Sequence, residues 1–435
     1  MTMVRMLRAI TVPMFFLIVL WRVGTCAALE LSHDWGGHVK IQGSFIDDDD
    51  TSLFTFFGDE RRLDSALDLR LTDKIELDER IEFDIHYQLG WTGGETYQAV
   101  WKLKDNIPVL LSSLIPGFGP SDRRRLFDLS RTVHEDGHDL AWHRLDRLSL
   151  ALKQQGFQMR IGRQALTWGN GLVFNPMDLV NPFAPTDTVR DYKTGDDMVL
   201  LAVEPDTGWN VQAALVPRRN PVSGDVENDS STFAVKGHAM IGGGEADLMA
   251  ARHAGENMMG LGYSHNAGQA LFRFDLLYST LNQGRGSDKG YAALVANLDR
   301  SWAFLDRNVY GLLEYHHNGL GHQRVNHALF DPDLVERIDR GEMTFLGRNY
   351  LGAQLRIELH PLVQFAFNLI ESLDRFTGIV QPRFLVDLSQ NSNLQVGGTF
   401  FHGEKGTEFG GIPIPGTRFT LGQGDSVYLI AGYYF

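Results

Sequence analysis

The sequence is poor in several features that common protein classes depend on. It contains one cysteine, Cys26, and 15 prolines in 435 residues. Cys26 lies inside the N-terminal leader described below, so the mature chain is expected to have no disulfide and no thiolate metal site. Beyond the leader, no apolar run reaches the roughly 20 residues that a membrane-spanning helix needs. A disulfide-stapled secreted domain and a helical membrane protein are therefore both disfavoured.

Motifs for covalent chemistry are also absent. The sequence has no G-x-S-x-G nucleophile and no phosphate-cradling loop. We therefore predict a protein that is not an enzyme and that uses no cofactor and no metal. A His-rich patch lacks the spacing of a defined metal site; it comprises Glu314, His316, His317, His322 and His327. The formal net charge of −14 argues against a nucleic-acid partner.

The N-terminus has the three parts of a signal peptide. Arg5 and Arg8 form a basic start, residues 9–21 are apolar, and Thr25-Cys26-Ala27-Ala28 is a small-residue end. The apolar part is too short to cross a bilayer as a helix. We predict a cleaved signal peptide at residues 1–27 and one domain at residues 28–435. A lipid anchor on Cys26 is the alternative, and Thr25 disfavours it because a smaller residue is expected before a lipidated cysteine.

Short segments of strict alternation dominate the rest of the chain. In residues 80–89, Ile81, Phe83 and Ile85 alternate with Glu82 and Asp84. A period of two indicates β-strands, and most segments are about 9 to 12 residues long, as tilted membrane strands are. The sequence is also rich in glycine and phenylalanine, with 46 and 27 residues. We predict an all-β chain of roughly 16–18 strands, with 18 as the best count.

Long and short connections alternate between these segments. The long ones cover residues 47–63, 91–143, 167–195, 218–230, 318–348 and 403–425, and all follow odd-numbered strands. Connections after even-numbered strands are short, and the one near residues 300–306 is predicted to be somewhat longer. The pattern is typical of a transmembrane up-and-down antiparallel β-barrel with short periplasmic turns and long external loops. A soluble β-sandwich also produces alternation and is the less favoured alternative.

A barrel of this size leaves a water-filled lumen unless loops fill it. The apolar phase of each strand would face lipid, and the polar phase would line the pore. Our candidates for the pore lining are Asp84, Arg160, Arg273, Asp275, Glu314, Arg356, Glu358 and Arg383.

The C-terminal segment ends in an aromatic residue. Val427, Leu429, Ala431, Tyr433 and Phe435 share one face of a final strand. This segment resembles the terminal strand of Gram-negative outer-membrane proteins, which the barrel-assembly machinery recognises. Tyr433 and Phe435 would then carry the assembly signal and lie in the periplasmic aromatic girdle, while the last strand pairs with the first and removes both edges.

An internal motif carries a second resemblance. The segment Gly162-Arg163-Gln164-Ala-Leu-Thr-Trp168-Gly169 is followed by an Asn- and Pro-rich stretch that runs to Asn181-Pro182. This GRQ-x-x-x-WG pattern is similar to that of uncharacterised porin-like barrels and of alginate-export and capsule-assembly barrels.

In porins the resemblance implies a loop that packs into the mouth or lumen. The residues expected to hold this constriction loop are Trp168, Asn175, Pro176, Asp178, Asn181 and Arg190, although a purely architectural motif is an equal alternative. Arg163 departs from the pattern, because alternation from Phe157 places it on the lipid face. Either Gly162 marks a bulge or Arg163 lies at the rim.

The long connection at residues 92–143 allows two interpretations. Its apolar stretch at 107–114 and the basic triplet Arg123-Arg124-Arg125 could form a loop helix that folds into the barrel mouth. An external lid or contact surface explains the same residues equally well.

Three functions are consistent with the sequence. The favoured one is an outer-membrane porin or substrate-selective channel for passive passage of small polar solutes. The second is a scaffold or export barrel whose loops bind polysaccharide or lipid, and the third is a membrane-embedded hydrolase. The expected partners are outer-membrane lipid and lipopolysaccharide, the barrel-assembly machinery, a small polar solute and, as a further option, a second copy of the chain.

Overall fold

A computed structural model describes residues 31–56, 58–103, 117–187, 189–205, 208–281, 289–414 and 416–435. The predicted signal peptide lies outside the described residues. Eighteen long strands form a closed antiparallel β-barrel, as predicted. They are β1 Leu31–Asp47, β2 Arg61–Leu77, β3 Ile81–Gly94, β4 Asp139–Gln154, β5 Phe157–Gln164, β6 Asp196–Val203, β7 Trp209–Val216, β8 Thr232–Ile241, β9 Gly244–His253, β10 Glu256–Ala267, β11 Ala270–Thr280, β12 Gly290–Phe304, β13 Arg307–Asn318, β14 Asn349–His360, β15 Val363–Ser372, β16 Thr377–Asp387, β17 Ser392–His402 and β18 Asp425–Tyr434.

The barrel closes between its first and last strands. Each strand pairs with the next one along the chain, and β1 pairs with β18 from His38 opposite Tyr434 to Asp47 opposite Asp425. The Phe435 carbonyl accepts the Gly37 amide at 2.9 Å, which continues the ladder to the last residue. Closure leaves no sheet edge unpaired, which is the condition for a sheet to stand in lipid.

The connections alternate in length as predicted. β1, β3, β5, β7, β13 and β17 are followed by the six long loops, all at one end of the barrel. The turns after even-numbered strands are short, and Leu305-Asp306 alone joins β12 to β13. The expectation of a longer connection near residues 300–306 was therefore wrong. Both Leu305 and Asp306 adopt positive φ, 51° and 58°, as a two-residue hairpin turn requires.

The two faces of the wall differ in chemistry. Large apolar side chains are exposed on the outward face, such as Leu71, Leu248 and Met259, the last at 70%. Their sequence neighbours point into the lumen, as successive residues of a strand must. The outward face thus offers apolar surface to a bilayer, while the lumen receives most of the charge.

Within the described ranges, helical structure is confined to the long loops. The helices are α1 Glu95–Leu103, α2 Val325–Ala328 and α3 Pro332–Asp339, and residues Leu53–Phe56 form a 3-10 turn. Within the described ranges, no helix is long and apolar enough to cross a membrane. Asp331 caps α3 by accepting the Asp333 and Leu334 amides at 3.0 and 3.3 Å. These elements lie at the long-loop end of the barrel.

The aromatic residues of the terminal strand lie on the outward face. Tyr433 and Phe435 are 53% and 38% exposed, and the Phe435 ring lies 6.0 Å from that of Trp35 on β1. This end of the barrel carries the short turns. The geometry agrees with an aromatic girdle at that level.

Candidate solute passage

One loop, residues 165–195 between β5 and β6, enters the lumen and touches the wall on both sides. Trp168 Nε1 donates to Gln212 Oε1 of β7 at 2.6 Å. Asn170 reaches β11, where its backbone and side-chain nitrogens donate to the two oxygens of Asp275 at 2.5 and 2.8 Å. Alternation along β7 and β11 points Gln212 and Asp275 inward. We name this segment the lumen loop.

Glu314 of β13 is the strongest anchor of the lumen loop. Its carboxylate accepts the backbone amides of Leu172, Val173 and Phe174 at 2.7, 2.9 and 2.6 Å. Asn297 of β12 bridges the two sides by donating to Glu314 at 2.9 Å and to the Asn170 carbonyl at 3.1 Å. Because a carboxylate is a strong acceptor, three otherwise unpaired amides are satisfied inside the barrel.

The second half of the lumen loop crosses to the opposite wall. Gln381 of β16 donates to the Thr186 carbonyl at 3.1 Å. Lys40 of β1 donates to Asp191 Oδ2 at 2.5 Å and to the Val189 carbonyl at 3.3 Å. The lumen loop therefore contacts wall strands on several sides of the barrel, and these contacts set its position.

A bulge in β4 fixes the end of the lumen loop. The β3–β4 register shifts between His86 and Tyr87, which leaves Asp146 as the extra residue. Asp146 accepts from Arg70 at 2.6 Å and from the Gly195 amide at 3.2 Å. The Arg70 guanidinium also lies 4.4 Å from the centre of the Tyr192 ring. This cluster ties β2 and β4 to the last turn of the loop.

Apolar packing fills one side of the lumen at the long-loop end. The core there joins inward residues of the wall to the lumen loop and the loop that follows β13. Its members include Trp168, Met177, Leu179, Val180, Met249, Met258, Leu277, Tyr291, Leu334 and Leu346. Met177 and Leu334 have no solvent exposure. Burial of this surface holds the loops in place by the hydrophobic effect and excludes water from that side.

Three adjoining cavities run along the other side of the lumen. The outermost, about 310 Å³, shares Thr186, Gln381, Thr399 and Ser426 with the next, of about 320 Å³. That second cavity shares Gln42, Ala66, Asp187 and Val189 with the third, of about 270 Å³. Because they share lining residues, the three cavities adjoin one another. We call this row of cavities the passage; it lies between the lumen loop and the wall strands β1, β2 and β16–β18.

The lining of the passage changes along its length. Around the outer cavity the residues are mostly uncharged, with the rings of Phe345, Phe401 and Phe409. The third cavity is bordered by cations and carboxylates together, namely Lys40, Arg70, Arg144 and Arg190 with Asp68, Asp187 and Asp191. Mixed charge at close quarters suits solutes that carry polar groups.

A buried ion pair lies within the lumen loop itself. Lys193 Nζ donates to Asp178 and to the Leu166 carbonyl, and both side chains are about 5% exposed. Burial raises the pKa of Asp178 to about 6, and the Lys193 ammonium opposes that rise. Burial also lowers the pKa of Lys193, against the attraction of Asp178. Each charge therefore offsets part of the cost of burying the other.

The structure places all eight predicted pore-lining residues on the inward face. Six lie nearer the short turns: Asp84, Arg160, Arg273, Arg356, Glu358 and Arg383. Several are paired, as in Arg160 with Glu82 at 2.9 Å and Glu358 with Asn308 at 2.6 Å. Asp275 and Glu314 are fully enclosed by the lumen loop, so in this arrangement they hold the loop.

The predicted constriction residues all lie in the lumen loop. Asn175 donates to the Trp168 carbonyl at 2.9 Å, and Pro176 borders a small cavity of about 90 Å³. Asn181, with φ of 49°, donates to the Gly195 carbonyl at 3.3 Å and so closes the loop on itself. Arg190 pairs with Asp187 at 3.2 Å beside the passage.

Sequence analysis did not single out several residues of the passage. Strand phase directs Lys40, Asp68 and Arg70 inward, but it does not distinguish them from the other inward residues. Asp187, Asp191 and Tyr192 sit in an irregular loop, where no periodicity predicts direction. Their only signal was the density of charge in residues 187–193.

Arg163 lies near the rim on the outward face, as one of the two interpretations predicted. Gly162 pairs with Ser149 and Met198 without a shift of register, so no bulge is present there. The Arg163 guanidinium donates to Asp197 at 2.9 Å and to Asp122 at 3.1 Å. Both carboxylates neutralise it, and residues 122–127 cover it, so it is only 2% exposed.

The long connection between β3 and β4 is only partly described. Its apolar stretch at 107–114 lies outside the described residues. Arg124 pairs with Asp339 of α3, and Arg125 donates to the Gly195 carbonyl at 3.0 Å. The basic triplet therefore contacts other long loops. In the described part of the chain, the His-rich patch does not converge: His316 stacks on Phe174, and His322 pairs with Asp331 at 2.7 Å.

Several solved structures of other proteins share the barrel fold of this chain. No family model and no curated protein matches the chain. Acinetobacter baumannii OccAB4 superposes with a TM-score of 0.52 at 9% identity, covering 93% of this chain and 98% of that one. Pseudomonas aeruginosa OccK2 (OpdF) in complex with glucuronate gives 0.51 at 10%, with coverage of 93% and 98%. Wzi, an outer membrane protein involved in group 1 capsule assembly in Escherichia coli, gives 0.49 at 10%, with coverage of 96% and 86%. The chain therefore shares the closed 18-stranded β-barrel fold of outer-membrane porin-like proteins.

Proposed function

We propose that the protein is an outer-membrane channel for the passive passage of small polar solutes, exported through a cleaved signal peptide. The passage carries the proposal, because its three cavities share lining residues and run beside the lumen loop. Solutes would enter between the long loops, pass the mixed charges around Lys40 and Arg70, and leave at the end of the barrel that carries the short turns. Such transport involves no covalent step.

Other parts of the proposal concern the surroundings of the barrel. Outer-membrane lipid and lipopolysaccharide would contact the apolar outward face. The barrel-assembly machinery would recognise the strand that ends in Tyr433 and Phe435. A homo-oligomer is compatible with the barrel, although no described feature marks a contact face.

Current through a planar bilayer tests the channel. We expect steady single-channel conductance from the purified mature protein, and a large decrease in Ala66→Trp, because Ala66 borders the second and third cavities. Ala202→Trp is the matched control: Ala202 borders a separate cavity of about 700 Å³ near the short turns. Its conductance should stay close to that of the unaltered protein.

The alternatives predict different outcomes. A barrel that acts only as a scaffold for polysaccharide or lipid would show no steady current in any variant. A membrane-embedded hydrolase would release product from phospholipid or peptide substrates and lose that activity on substitution of one Ser or Asp. If Ala66→Trp and the unaltered protein conduct equally, solutes do not use the passage.

A further inference from the structure

A hairpin at the long-loop end brings together metal-ligating side chains away from the passage. Residues Ser130–Glu135 form a short strand that pairs with the start of β4. A tight turn, closed by the Asp136 amide and the Asp139 carbonyl at 3.1 Å, joins the two strands. His134 and Asp136 are two residues apart and share a face, and Asp139 faces them across the hairpin.

Three ligand atoms converge at the tip. His134 Nε2 lies 3.1 Å from Asp139 Oδ1 and 3.3 Å from Asp136 Oδ2. All three atoms lie within 4.8 Å of one another. Ligands of a tetrahedral ion with bonds near 2.0 Å stand about 3.3 Å apart, so the two distances from His134 fit such an ion.

In both Asp136 and Asp139, the carboxylate oxygen that does not face His134 accepts a hydrogen bond. Trp91 Nε1 of β3 donates to Asp139 Oδ2 at 2.8 Å, which leaves Oδ1 facing His134. The backbone amides of His138 and Asp139 donate to Asp136 Oδ1 at 2.7 and 3.2 Å, which leaves Oδ2 facing His134. Donors on the second oxygen orient metal-binding carboxylates in the same way.

The donor set indicates the kind of ion. An imidazole nitrogen combined with two carboxylate oxygens suits a divalent transition metal such as Zn²⁺, whereas Ca²⁺ and Mg²⁺ prefer oxygen ligands alone. His134 is 55% exposed, so an ion can reach it from solution. The imidazole of His138 lies beside Asp136 at 3.6 Å and adds a second nitrogen next to the three ligands.

We propose that this hairpin tip binds one Zn²⁺ ion through His134, Asp136 and Asp139. The site is independent of the passage. It requires a deprotonated imidazole, so its affinity falls as the pH decreases through the range in which histidine is protonated.

Zinc titration of the full mature chain in detergent, without a polyhistidine tag, tests the proposal. We expect calorimetry to show one Zn²⁺ site per chain that weakens at least tenfold in His134→Ala and in Asp139→Asn. His265→Ala is the matched control, because His265 is an exposed histidine near the short turns that hydrogen-bonds the Gly243 carbonyl at 3.2 Å. It should leave the site unchanged.

Two results would overturn the proposal. One is a zinc titration that is the same in the unaltered chain and in both hairpin variants. The other is Ca²⁺ or Mg²⁺ binding as tight as that of Zn²⁺, which would mean a general attraction to acidic groups. A Co²⁺ titration of the unaltered chain needs no variant: an absorption band from bound Co²⁺ with nitrogen and oxygen ligands is expected, and its absence also contradicts the site.

Discussion

At the scale of single residues, the lumen loop contains two buried charges, and burying either one without the other would destabilise the protein. Asp178 and Lys193 are both buried, and each compensates the charge of the other. Removing one partner of such a pair typically costs about 3–5 kcal/mol, because an unpaired charge remains in a poor solvent. Replacing both with apolar residues costs much less.

We therefore predict that Lys193→Met destabilises the protein by about 3 kcal/mol at pH 8. Without the ammonium, the pKa of Asp178 should rise above its present value of about 6. Asp178 is then protonated as the pH falls from 8 to 5, so the deficit should shrink on acidification. Thermal unfolding in detergent at the two pH values measures both effects.

The double variant Asp178→Leu/Lys193→Met supplies the control. It should be more stable at pH 8 than Lys193→Met and should show less pH dependence. If the loss of stability in the double variant equals the sum of the losses in Asp178→Leu and Lys193→Met alone, the two residues are not coupled.

At the scale of elements, the lumen loop is held by strand carboxylates through its backbone amides. Glu314 of β13 satisfies the amides of residues 172–174, and Asp275 of β11 satisfies that of Asn170. Charged acceptors make hydrogen bonds of about 1.5–3 kcal/mol each. The first half of the loop is thus fixed to the wall by a few side chains, together with the apolar core.

Glu314→Ala should release this half of the loop. We expect a loss of about 3 kcal/mol in stability, because three backbone amides of the lumen loop lose their carboxylate acceptor. Single-channel recordings should show larger current fluctuations, and limited proteolysis should cut within residues 170–176. Glu358→Ala is the control, since Glu358 is inward-facing but bonded only to wall residue Asn308 among the described contacts. Quiet currents in both variants would show that Glu314 does not hold the loop.

At the scale of the whole molecule, the barrel exists only when β1 and β18 meet. That contact runs to the last residue, where Phe435 pairs with Gly37 and packs near Trp35. Because the Phe435 side chain lies at the contact between β1 and β18, its substitution should affect barrel closure more than transport. The passage lies inside the wall and does not include the Phe435 ring.

Phe435→Ala should therefore lower the yield of assembled barrel in cells without changing its conductance. The fraction of heat-modifiable protein in outer-membrane extracts measures assembly, and bilayer recording measures the conductance of the assembled barrel. Val427→Ala, on the same face of β18 but near the long loops, is the matched control and should assemble more efficiently. Normal assembly of Phe435→Ala would contradict a role for the terminal aromatic residue.

The sequence by itself determined the number of strands, the alternation of their faces and the alternation of loop lengths, because a period of two is a local property of the chain. It also assigned Arg160, Arg273 and Glu358 to the lumen by phase. Only the tertiary structure decided which inward charges line the passage and which are buried and hold the lumen loop. Strand phase cannot make this distinction, because Asp275 and Glu314 have the same inward phase as Arg273. That outcome depends on where the lumen loop lies, and its path is set by contacts between residues more than 100 positions apart, such as Phe174 with Glu314 and Lys40 with Asp191. At the hairpin tip, His134, Asp136 and Asp139 are close in sequence, and tertiary structure adds the hydrogen bond from Trp91 that orients Asp139.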